Sequence, residues 1–130
     1  MTLQYIFLCE RAILTNGKLN VVGLMEQIAL SGVPATIQRG FPLVLAILWK
    51  NVATNEAVTL RLCSPSGESR DFTAPPLTAK YETQLQVTDL CGLTLTESGT
   101  YTFNALVDGR LYGAVTFEIV VVPSFGERSA

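Results

Sequence analysis

The chain has 130 residues, of which 48% are hydrophobic and only 15% charged, against about 25% charged in an average domain. Such a chain builds a core of its own as one domain rather than staying disordered. Its net charge is −2 and its nine basic residues are scattered singly from Arg11 to Arg128, without the basic stripe that nucleic-acid binding requires. Histidine is absent, which removes the commonest general base, the commonest metal ligand and any histidine-based pH switch.

Met1 to Cys9 contains an apolar run with no basic residue ahead of it and no small-residue cleavage site. The run is too short for a signal-peptide core with processing, and far too short for a membrane span. Leu3 to Leu14 reads as a first, largely buried strand. Asn16-Gly17 signals a hairpin turn, and Leu19 to Leu30 follows as a second long strand, bent at Gly23. Gly32, Pro34, Gly40 and Pro42 make residues 31–42 a loop. Residues 43–49 are apolar on both faces and follow a proline, which predicts a central strand covered on both sides. Trp49 at its end belongs to core or interface packing.

Val58, Leu60 and Leu62 alternate with polar or smaller residues, the period of a strand with one wet face. Ser64-Pro65-Ser66-Gly67 has the proline and glycine of a type I turn, with a short return strand from Ser69 to Thr73. Two consecutive prolines, Pro75 and Pro76, cannot continue a ladder, so 74–77 should carry the chain from one sheet to another. Glu82 to Leu90 alternates again and leads into Leu93 and Leu95.

The clearest stretch is the hairpin from Tyr101 to Val122. Tyr101, Phe103, Ala105 and Val107 alternate with Thr102 and Asn104, and Leu111, Val115, Phe117, Ile119 and Val121 keep the odd face apolar after the turn. A two-residue Asp108-Gly109 turn would set odd positions opposite even ones. A three-residue loop, 107–109, pairs Leu106 with Arg110, keeps odd opposite odd and places Phe103 across from Gly113. The three-residue loop is therefore the expectation. Residues 123–130 read as a mobile polar tail carrying Phe125, which leaves 1–122 as the domain.

The segment Leu93-Thr94-Leu95-Thr96-Glu97-Ser98-Gly99-Thr100-Tyr101 resembles the corner of immunoglobulin-like sandwiches. Glu97 stands where that pattern has aspartate, Gly99 and Tyr101 match, and Phe103 replaces the disulfide cysteine. The resemblance implies a tyrosine corner, with the phenol bonding back to backbone. The missing cysteine departs from antibody-type domains. Together with turn signals along the whole chain, it gives an all-β expectation: a single antiparallel β-sandwich of about seven to nine strands, immunoglobulin-like or of related Greek-key topology. Phe7-Leu8-Cys9-Glu10, residues 17–24 and Gly40-Phe41-Pro42 are in turn similar to an uncharacterised family of small bacterial β-sandwich proteins. That likeness implies a bacterial cytoplasmic origin and supplies no catalytic residue.

Cys9, Cys63 and Cys91 are odd in number and far apart, with no zinc spacing, so reduced core thiols are expected, a 63–91 disulfide being the alternative. Of these, Cys9 beside Glu10 and Arg11 is the best nucleophile candidate. Carboxylates never stand adjacent, Glu97 and Asp108 are the only loop acids near the corner, and no phosphate loop, Ser-x-x-Lys or cofactor motif occurs. The expected function is therefore non-catalytic, with no cofactor and no metal: a protein-interaction or assembly module, with a protein partner or as a homo-oligomer. The alternative is a module binding an apolar or carbohydrate small ligand. Tyr112, Ala114, Val120 and Val122, on the even face of the closing strand, and Trp49 are the interface candidates. Apolar residues there have no place in a sandwich with a single interior.

Overall fold

The computed structural model describes residues 1–123, and among them the chain forms twelve strands and no helix. Of the expected tail only Pro123 is included; Phe125 and the rest of 124–130 lie outside the described residues. One sheet has β1 (Thr2–Cys9), β6 (Val44–Lys50) and β9 (Gln84–Asp89), with β6 in the middle. A second has five strands in the order β4 (Gln27–Leu30), β12 (Arg110–Val121), β11 (Gly99–Val107), β7 (Thr59–Cys63) and β8 (Ser69–Thr73). Two small ribbons complete the fold. One pairs β2 (Arg11–Thr15) with β3 (Lys18–Val22), the other β5 (Ala35–Thr36) with β10 (Thr94–Leu95).

The two larger sheets share one core. Leu45, Ile47 and Trp49 of β6 meet Leu60, Leu62, Tyr101, Phe103 and Phe117 of the five-stranded sheet in one buried cluster. Each such side chain contributes about 1.5–3 kcal/mol on leaving water. The other face of β6 is closed as well, because Ala46 packs with Cys9 and with Ala12 of the β2–β3 ribbon. The strand is central and covered on both sides, and this chain supplies the second cover itself. Residues 74–77 do carry the chain from β8 in one sheet toward β9 in the other.

Three expectations need correction. Leu3–Leu14 is not one strand: at Glu10 the chain breaks, and the Glu10 amide reaches the carbonyls of both Val22 and Gly23 at 3.0 and 3.1 Å. β1 stays in the sheet while β2 leaves it. The bend at Gly23 is likewise a full break. A side chain there would overlap Glu10, and the following residues cross to the other sheet, where β4 runs parallel to β12. That pair departs from an all-antiparallel fold, and the twelve strands exceed the seven to nine expected. Finally, the hairpin turn has two residues, not three. Asp108 and Gly109 both take positive φ, 51° and 74°, and Val107 pairs with Arg110. A β-bulge then shifts the register between Ala105 and Leu106, so that Phe103 faces Val115 and odd again opposes odd. Gly113 instead lets Leu3 of β1 approach closely: an added Cβ would lie 2.9 Å from its methyl carbons.

Candidate functional site

Trp49 lies in the core. It is fully buried, its Nε1 donates to Gln86 Oε1 at 3.1 Å, and Gln86 in turn donates to the Pro75 carbonyl. Gln86 thus satisfies the indole N–H that a tryptophan carries into a core. Tyr112 is drawn inward by the bulge: it meets Trp49 edge-on with ring centroids 5.6 Å apart, and the Arg110 guanidinium lies 5.6 Å over its ring. Val120 pairs with Ala29 of β4, and the exposed Val122 donates its amide to the Leu30 carbonyl at 2.8 Å. Ala114 is exposed, and of the five candidates it is the one that lines an open groove.

The groove has a volume of about 590 Å³ and lies between β1 and β12. Residues 6–8 form one wall and 114–118 the other, and the crossing segment 24–26 closes one end. The crossing is pinned where the Met25 amide donates to the Leu8 carbonyl at 2.8 Å. The β12 wall follows from strand geometry. Glu118 and Val122 donate their amides away from β11, to the carbonyls of Glu26 and Leu30. Because the backbone alternates with period two, Ala114 and Thr116 point theirs the same way. β4 begins only opposite Glu118, so among the described residues no strand pairs with them on the side away from β11. A twelve-residue strand therefore ends in an unpaired edge beside a groove. Glu26 and Glu118 stand in its lining, and among the described residues no lysine or arginine does.

The segment 97–101 is built around backbone rather than chemistry. The Tyr101 hydroxyl donates to the Glu97 carbonyl at 2.8 Å and accepts from the Glu97 amide at 3.1 Å, while Ser66 Oγ donates to Glu97 Oε2 at 2.6 Å. Tyr101→Phe should cost about 1–3 kcal/mol, the penalty for a buried polar group losing its partner. Tyr81→Phe, on an exposed loop, should cost almost nothing. Urea melts of the two variants check this, and equal small shifts would contradict the bond.

The three cysteines are free but not alike. Cys9 is buried, Cys63 half-buried and Cys91 exposed, which corrects the expectation of three core thiols. Burial pushes the Cys9 thiol up, against a smaller lowering by a backbone bond to Arg11, and so away from a reactive thiolate. A thiol reagent should therefore label Cys91 in the native protein, Cys63 more slowly and Cys9 only on unfolding. Equal native rates at Cys9 and Cys91, read by mass spectrometry, would contradict the packing. Among the described residues no three His, Cys, Asp or Glu side chains converge as a metal site, and no helix is long and apolar enough to cross a membrane.

No curated protein matches the chain. A solved structure of Pseudomonas fluorescens alkylpurine DNA glycosylase AlkC, bound to DNA containing an abasic site analog, is similar at a TM-score of 0.49 and 15% identity. The match covers 74% of this chain but 28% of that one, and so low a likeness carries no functional inference. The family comparison covers far more of the chain: residues 4–120 match DUF6941, a family of unknown function, and the chain belongs to that family.

Proposed function

We propose that this chain is a non-catalytic interaction or assembly module of a bacterial cytoplasmic complex, and that it works through the groove between β1 and β12. In this reading the two large sheets are the layers of an immunoglobulin-like sandwich, and the bond between Tyr101 and Glu97 is its tyrosine corner. The observation that carries the proposal is the unpaired edge at Ala114 and Thr116. Outward amides at alternate positions accept an added strand, which gains affinity from main-chain bonds and specificity from the groove. Leu24, 60% exposed at the groove's end, supplies apolar surface for the same contact.

The test removes the edge and keeps the fold. Ala114→Pro with Thr116→Pro deletes the two outward amides, while the bonds to β11 come from the odd positions and survive. The variant should melt as a folded protein. A photoreactive residue at position 118 should give one defined adduct in the otherwise wild-type chain and none in the variant. Adducts of equal yield in both would overturn the proposal.

A further inference from the structure

We infer that the occupant of this groove is a strand of a second copy of the chain: β3 of each copy lies in the groove of the other. The inference rests on the groove being an interaction site and names its partner. Among the described residues the β2–β3 ribbon is hydrogen-bonded to no larger sheet; Ala12 packs it against β6, which leaves the outer edge of β3 unpaired, and a two-stranded ribbon gains stability from further cover. Among its exposed residues are nonetheless three large apolar ones, Ile13, Val21 and Val22, each more than a third exposed.

The backbone of β3 matches what the groove lacks. Thr15 and Lys18 flank a two-residue turn, so they form a hydrogen-bonded pair, as do Ile13 with Asn20 and Arg11 with Val22. Leu19 and Val21 then point their amides away from β2, at the same two-residue spacing as Ala114 and Thr116 on β12. Charge is complementary as well. Residues 11–22 carry Arg11 and Lys18 and no acid, while the groove carries Glu26 and Glu118 and, among the described residues, no base. Within one chain the fit cannot close, because the Val22 and Gly23 carbonyls are held by the Glu10 amide. Donor and acceptor adjoin through Gly23 and Leu24 on one continuous surface. A two-fold axis through that surface satisfies both grooves at once, with the self-complementary patch that a symmetric dimer requires.

The experiment is sedimentation equilibrium of the full chain across micromolar concentrations. The wild type should have the mass of a dimer. Val21→Pro removes an outward amide from β3 and leaves the ribbon's own bonds, and it should be monomeric, as should the Ala114→Pro, Thr116→Pro variant. Mixed, these two variants retain one intact groove and should form a heterodimer, at least tenfold weaker than wild type. Lys18→Glu, which leaves the backbone alone, should weaken the dimer at least tenfold and be rescued by Glu26→Lys with Glu118→Lys. A Val21→Pro or Lys18→Glu protein that dimerises like wild type would overturn the β3 assignment. A monomeric wild type whose position 118 still crosslinks to another protein would overturn it too, and leave the groove as an interaction site. Loss of both the dimer and the crosslink would remove the two together.

Discussion

Phe117→Ala should destabilise the protein by about 3–5 kcal/mol, the range for deleting a buried aromatic ring. The ring is 2% exposed and stacks on both Tyr101 and Phe103, with centroids 5.5 and 5.8 Å apart and planes inclined by 16° and 22°. Phe103 passes the contact on to Phe72 of β8, edge-on at 6.4 Å. Removing the middle ring therefore leaves a void inside a rigid aromatic row, flanked by strands whose pairing prevents collapse. Leu111→Ala, on the same strand but 56% exposed, should fall within about 0.5 kcal/mol of wild type. Guanidinium unfolding of both variants makes the comparison, and a loss below about 1 kcal/mol for Phe117→Ala would mean that the row is not central to the core.

Gly99→Ala should cost about 2–4 kcal/mol, from two separate causes. Gly99 has φ of +121°, a region essentially closed to residues with a side chain. A Cβ built there would also lie 2.9 Å from Pro65 Cγ and 3.1 Å from Pro65 Cβ, a contact with a stiff ring that cannot swing away. Gly67→Ala separates the causes, since Gly67 has φ of +94° but open space around it. The Gly99→Ala, Pro65→Ala double variant should recover the steric part and leave the backbone part. If it is no more stable than Gly99→Ala alone, the contact with Pro65 contributes nothing.

Much of the fold is legible in local alternation. The strands at 59–63, 84–89 and 99–121 follow from period two, and β6 from an apolar run too short for a helix. What local pattern does not contain is where a strand changes partners. Residues 3–14 read as continuous because the break at Glu10 rests on bonds to Val22 and Gly23, well downstream. The hairpin shows the same limit. Parity led to a three-residue loop, yet the turn has the two residues that Asp108-Gly109 favours, and a bulge restores the parity that a two-residue turn alone would break. The bulge then decided which candidates mattered, turning Tyr112 onto Trp49 and leaving Ala114 outward. Ala114 was legible as a surface apolar residue on the closing strand. The groove beside it was not, because it exists only where β4 starts late on β12 and the chain crosses at 24–26.

Hydrogen exchange at Ala114 and Thr116 tests most directly the claim that this edge is where the chain associates. In dilute protein both amides should exchange quickly, as unpaired edge groups do. At concentrations where the dimer fills they should become strongly protected, together with Leu19 and Val21, while Gly113 and Val115 stay protected throughout. Exchange at Ala114 and Thr116 that is equally fast at every concentration, in protein whose mass shows it to be associated, would place the contact elsewhere and contradict the account.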